Sequence, residues 1–249
     1  MIEKVKESVY KLLMNETSGH GSDHIDRVYR LAMTFAEKEQ ADTLVVCDEN
    51  APNETINKDI VALAALLHDV DDYKLVGKEG SEALTNARKI MTNVGIDNDL
   101  QGTVLQIIQT MGYNKYLKGI RPSSLEGKIV SDADMCDAIG ANGIIRSVVY
   151  AVSPKANGTI FDKRIFPNAN ITSLEYNSDV TTHSTDNAIN HFFEKLLKLK
   201  DLMMTESGRL EAVSRHEIMV EFLTHFFTEE DAPEWLEYLT CYLENPHSV

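Results

Sequence analysis

At 249 residues, 43% of them hydrophobic, the chain has the length for one large domain, or one domain with a helical extension, and can bury a core. Its formal net charge of −15 argues against duplex-DNA binding, which needs clustered cations to neutralise phosphates, but leaves small phosphorylated substrates open because a bound divalent cation supplies local positive charge. The scattered Cys47, Cys136 and Cys241 form no zinc framework and fit a reducing cytosol; with no apolar h-region in Met1–Tyr10 and no span of ~18–20 apolar residues, a cytoplasmic setting without a membrane partner is expected.

In chain order, most of the sequence reads as helix. Val5, Val9, Leu12 and Leu13 recur at helical spacing, and Ser18-Gly19-His20-Gly21 ends that run. A second helix starts near Asp23 with the stripe Ile25, Val28, Leu31, Ala32 and Phe35. Residues 41–57 are polar, are interrupted by Pro52, and read as a loop. Ile60–Leu67 is apolar on every side, as a helix buried at the centre of a domain would be. Further helices are expected at Ser81–Val94, Asp99–Met111, Leu125–Ile139 and Asn142–Ala151. Residues 152–185, rich in Asn, Ser, Thr and Pro, read either as a lid or binding loop or as an ordinary surface excursion. Asp186 is placed to cap a helix over Asn187–Met203 that turns Ile189, Phe192, Phe193, Leu196 and Leu197 inward. A long helix follows over Thr205–Phe227, and a last short one opens with the capping pattern Asp231-Ala-Pro-Glu234.

Three segments carry the chemistry. Ala64-Ala-Leu-Leu-His68-Asp69-Val-Asp71-Asp72 ends the apolar helix in four ionisable groups, and burying such groups is costly unless they are paired or bind a metal. Adjacent imidazole and carboxylate suit a borderline divalent cation. An acidic loop at a helix C-terminus, with His68 favoured by the dipole, accounts for the same residues without chemistry. His24 shares its stripe with Val28, Leu31 and Phe35 and so points inward. Alone, such a histidine is more often a hydrogen-bonded core residue than a ligand. In Ser131-Asp132-Ala-Asp134-Met-Cys-Asp137 three acids share an otherwise apolar helix. Asp134 lies on a face with Val130 and Asp137, Asp132 on a neighbouring face with Cys136, and pairing of one acid with Arg146 is the structural alternative.

His24, then His68-Asp69, then Asp134 resembles the H…HD…D signature of the HD superfamily. The phrases D-H-I-D-R-V, A-L-L-H-D-V-D-D-Y-K, S-D-A-D-M-C-D-A-I-G-A and N-H-F-F-E-K-L-L-K-L-K resemble its bacterial and fungal branch of small phosphohydrolases, over roughly residues 20–227. Two departures stand out: Met135-Cys136 where that branch has Arg-Leu, which bears on a substrate contact, and a longer 41–57 loop. Neither removes a ligand. The resemblance implies an all-α HD-domain helical bundle with additional C-terminal helices. It also implies a single domain over residues 1–249, with a core at about 20–151, the polar loop or lid at 152–185 and the C-terminal helices at 186–245.

The resemblance further implies one divalent ion (Mn, Mg, Co, Ni, Fe or Zn) held by His24, His68, Asp69 and Asp134. Asp134 is taken over Asp132 on alignment and on its face shared with Val130. Asp72, just beyond the His-Asp pair, is the expected base that orients or deprotonates water; capping or pairing with Lys74 is its structural alternative. Arg27, Lys74 and His20 are the candidate substrate-binding groups, and Lys195 and Lys198 could steer phosphates or simply face solvent. The expected activity is metal-dependent phosphohydrolysis of a nucleotide or similar small phosphorylated substrate, with no duplex nucleic acid as partner and a homodimer left open. The alternatives are a mixed-valence diiron oxygenase, for which His183, His191, His216 and His225 lack ligand spacing, and a non-catalytic nucleotide-sensing module.

Overall fold

The apolar run before His68 is the centre from which the fold is built. The computed structural model describes residues 1–14, 21–45, 55–154, 156, 158–168 and 187–244. The chain divides into two compact units, Met1–Met135 with Met204–Gly208, and Cys136–Met203 with Arg209–Val249. The fold is all-α; outside the helices the described residues include an isolated bridge between Thr159 and Asn187. No helix among the described residues is long and apolar enough to cross a membrane.

The first unit holds α1 (Ile2–Leu13), α2 (Ser22–Val45), α3 (Lys58–Leu67), α4 (Tyr73–Ala83), α5 (Thr85–Val94), α6 (Asn98–Thr110), α7 (Tyr113–Leu117) and most of α8 (Leu125–Asp137). Every residue of α3 from Val61 to Leu67 is buried, and α1, α2 and α6 pack around it. Burying one such Leu or Val is worth roughly 1.5–3 kcal/mol, so this short helix is held by its surroundings more than by propensity. Its start is fixed by Asn57, whose side chain accepts from the amides of Asp59 and Ile60. On α2 the stripe Ile25, Val28, Ala32 and Phe35 has no exposed surface. Lys6 pairs with Asp26 at 3.0 Å and the Tyr10 hydroxyl donates to the same carboxylate, tying α1 to α2.

Several departures from the sequence reading fall in this unit, the short and unforeseen α7 among them. The helix expected over Ser81–Val94 is broken at Leu84, which adopts left-handed angles (φ 51°, ψ 49°) with its side chain buried. The break has a cause upstream: Asp71, itself buried, accepts from the amides of Asn86 and Ala87, each at 2.8 Å, and so supplies a new N-terminus for α5. The preceding helix, α4, begins already at Tyr73 and contains a non-helical Gly77 (φ 73°) that interrupts it. The loop read at 41–57 starts later, because α2 runs to Val45; it ends at Asn57 as read, where the amides of Ile56 and Asn57 donate to Gln40 and Glu126, and residues 46–54 lie outside the described residues.

The second unit holds α9 (Gly140–Ala151), α10 (Ala188–Glu194), a 3-10 helix (Leu196–Leu202), α11 (Glu206–Glu229), most of which lies in this unit, and α12 (Pro233–Glu244). The single helix expected over Asn187–Met203 is two, separated at Lys195 (φ −140°). Tight 3-10 winding then keeps Leu196, Leu197 and Leu199 buried together. Asn187 caps α10 by accepting from Asn190; the expected cap, Asp186, lies outside the described residues. An aromatic cluster forms the core: Trp235 stacks on Phe166 with centroids 4.5 Å apart, meets Phe161 edge-on at 5.0 Å and donates from its indole nitrogen to Lys163 O. Of the 152–185 segment, residues 155, 157 and 169–185 lie outside the described residues.

Candidate metal centre

α3 ends where its apolar surroundings end, and the next two side chains meet others brought from α2 and α8. His24 Nε2 lies 3.1 Å from His68 Nε2, 3.3 Å from Asp69 Oδ2 and 3.5 Å from Asp134 Oδ1. His68 Nε2 is 3.7 Å from Asp69 Oδ2 and 3.6 Å from Asp134 Oδ1. The imidazoles are almost wholly buried, at 4% and 3% exposure, while Asp69 and Asp134 keep 17% and 26%. The cluster is therefore closed behind the histidines and open beside the carboxylates.

The chemistry of this donor set fits a cation. His68 Nδ1 lies 2.8 Å from Ala65 O, and a carbonyl can only accept, so Nδ1 carries the proton and Nε2 presents a lone pair. That lone pair faces a second imidazole nitrogen and two carboxylate oxygens. A lone pair and two carboxylate oxygens gathered around one further imidazole nitrogen favour positive charge among them. With ligand bonds of 2.0–2.2 Å, donors on one ion stand roughly 3.0 Å apart at a right angle and roughly 3.4 Å apart at the tetrahedral angle. The observed separations, 3.1–3.7 Å, overlap that range and extend past its upper end.

The three acids of α8 part company. Asp134 joins the cluster. Asp132, fully buried, accepts from the amides of Met204 (2.9 Å) and Thr205 (2.7 Å) and from the Thr205 hydroxyl (2.7 Å), just ahead of α11. Glu39 of α2 accepts from the amide and hydroxyl of Ser207 at 2.8 and 2.6 Å, so the same short segment is anchored twice. A β-carbon at Gly208 would stand 2.5 Å from the Asp132 carboxylate, which leaves only glycine there. Asp137, also fully buried, pairs with Arg146 at 2.9 Å, as the structural alternative held.

The remaining candidates spread out. Asp72 is half-buried in the turn that follows; its amide donates to Asp69 O and its carbonyl accepts from Leu75 and Val76 to open α4. Arg27 is half-buried on α2, three residues beyond His24, and Lys74 lies in the first turn of α4. His20 and His183 lie outside the described residues. His191 and His216 belong to the second unit; burial, reinforced by Lys195 and by Lys200 respectively, depresses them to about 3 and about 4. Sequence reasoning missed the capping work of Asp71 and the Glu39–Ser207 tie. Asp71 sits fifteen residues before Asn86, and Glu39 lies 168 residues from Ser207, so no local pattern announces either.

A family profile for the HD domain matches residues 21–139, which contain all four clustered side chains. YpgQ of Bacillus subtilis is 34% identical over 93% of this chain and 93% of its own, and has been solved in complex with ADP, a structure with a TM-score of 0.64 to this one, 28% identity and coverage of 92% and 97%. A Lactobacillus plantarum protein superposes with a TM-score of 0.72 at 32% identity, covering 93% of this chain and 97% of the other. An HD-superfamily hydrolase from Bacillus thuringiensis gives 0.65 and 32% over the same shares.

Proposed function

The chain belongs to the HD superfamily of hydrolases, and from that premise we propose that it is a metal-dependent phosphohydrolase acting on a nucleotide or a similar small phosphorylated substrate. The observation that carries the reading is the convergence of two buried Nε2 atoms and two carboxylate oxygens, with the His68 tautomer set by Ala65 O. His24, His68, Asp69 and Asp134 would hold one divalent ion. When bound, it supplies Lewis-acid polarisation of a phosphoryl group and acidifies water near neutral pH.

The chain's own residues supply the rest. Asp72, outside the clustered set but tied to it through the Asp69 carbonyl, takes the proton from the attacking water. Arg27 and Lys74 bind the phosphate oxygens, Arg27 with a planar fork and Lys74 as a point charge. The half-exposed carboxylate side of the cluster admits the substrate, and the buried imidazole side excludes solvent behind it. The ADP complex of YpgQ supports a nucleotide as the substrate class.

The test is a panel of nucleoside mono-, di- and triphosphates, sugar phosphates and phosphodiesters, each offered to chelator-stripped protein with several divalent metals. Metal-dependent phosphate or pyrophosphate release from a nucleotide is expected. Activity confined to phosphodiesters would sink the substrate assignment. Oxygen consumption by iron-loaded protein, with no phosphate released from any substrate, would replace the hydrolytic reading with the diiron one.

A further inference from the structure

In a chain of net charge −15, the 26 residues from Leu100 to Leu125 contain no Asp or Glu and carry Lys115, Lys118 and Arg121. These three cations form no ion pair among the described residues. Lys118 and Arg121 are exposed and Lys115 half-exposed. Lys115 lies in α7 and Lys118 caps its C-terminus, three residues further along the chain. The Arg121 guanidinium lies over the Tyr116 ring, 3.7 Å from its centroid, and the Tyr113 ring stacks parallel to Tyr116 at 6.1 Å.

The scaffold beneath these cations is fixed. Ile120 donates to Lys115 O and Gly119, at φ 74°, to Tyr116 O, the paired bonds that close a helix C-terminus. Pro122, next to Arg121, is buried against α8 at Gly127, where a β-carbon would stand 2.7 Å from the proline ring. A guanidinium seated over an aromatic ring has already lost part of its rotamer freedom, so less is lost when a ligand binds its N–H groups.

The patch lies away from the His/Asp cluster. Pro122 and Gly127 mark the N-terminal end of α8, and Glu126 there accepts from the amide of Asn57, the cap that starts α3. His68 and Asp134 lie at the other ends of these two helices, roughly 12 Å along α8 from Glu126 at 1.5 Å per residue.

We infer that Lys115, Lys118 and Arg121, with Arg121 seated on Tyr116, form a second anion-binding site that takes a small polyphosphate, separate from the His/Asp cluster. Three cations within seven residues, one of them held on a ring, match an anion of two or three linked phosphates better than a single charge. The acidic remainder of the molecule disfavours long polyanions that would have to track across it.

The test titrates inorganic tripolyphosphate calorimetrically into chelator-treated full-length protein, so that the reading proposed for the cluster is not engaged. Saturable binding is expected, weakening as salt rises, and the Lys118→Ala/Arg121→Ala double variant is expected to bind at least ~10-fold more weakly. Arg121→Lys is expected to lose several-fold although the charge remains, and an unchanged far-ultraviolet spectrum and melting temperature identify variants that still fold. Absence of saturable binding, or equal binding by the double variant, overturns the inference. So does a single-stranded oligonucleotide that binds more than ~10-fold tighter at equal phosphate concentration, which would make the surface a strand-binding face.

Discussion

His68 uses both ring nitrogens for different ends. Nδ1 is spent on the carbonyl of Ala65 within its own helix, and that bond aims Nε2 at His24, Asp69 and Asp134. Two residues apart on α8, Asp134 and Asp132 divide in the same way, one toward the cluster and one toward the Met204–Thr205 turn. Atomic absorption on purified variants separates them. Asp134→Ala is expected to lose bound divalent metal, whereas Asp132→Ala keeps it and instead loses about 1–3 kcal/mol of stability, because buried amides are left without an acceptor. Metal retained by Asp134→Ala and lost by Asp132→Ala would reverse the two roles. Asp72→Asn is expected to retain metal while turnover falls at least ~10²-fold, the usual scale for a general base. Turnover within a few-fold of the parent would leave Asp72 only its place at the start of α4.

At the scale of elements, periodicity found most of the helices and long-range capping decided where some of them break. α3 was legible because Val61–Leu67 offers no polar face at all. The Leu84 break was not, because its cause is Asp71, which sequence alone presents as one more acid in an acidic turn. Asp71→Ala removes the acceptor for two amides of α5, and a loss of about 1–3 kcal/mol in urea-induced unfolding is expected. A change under about 0.5 kcal/mol would mean that α5 holds its start by packing alone. Lys195 hid its break for a different reason. The apolar spacing of Phe192, Phe193, Leu196 and Leu197 suits one α-helix, and a switch to 3-10 winding preserves that burial while changing the backbone.

For the whole molecule, the family signature made the clustered residues legible, since each of these side chains stood in a recognisable phrase although the helices carrying them are far apart in sequence. The partition into two units was not legible, because the short piece Met204–Gly208 leaves its neighbours in sequence to join the first unit. In the second unit, stability should follow pH through two of its histidines. His191 and His216 are depressed to about 3 and about 4, below the ordinary 6.5, so the unfolded chain binds protons that the folded one refuses. Their contribution is complete above pH ~6.5 and is lost as pH falls toward 4. Melting temperatures should drop between pH 7 and pH 5, and His216→Gln should flatten that drop; an unaltered slope would assign it to other groups. The return of Met204–Gly208 also sets an order in time. Asp132 leaves the ribosome 72 residues before Met204, roughly 4–15 s earlier at ordinary synthesis rates, and until then its carboxylate has no turn to hold. The nascent chain can assemble α1 to α6 early, but the helix that carries Asp134 is clamped only once residues far downstream have been made.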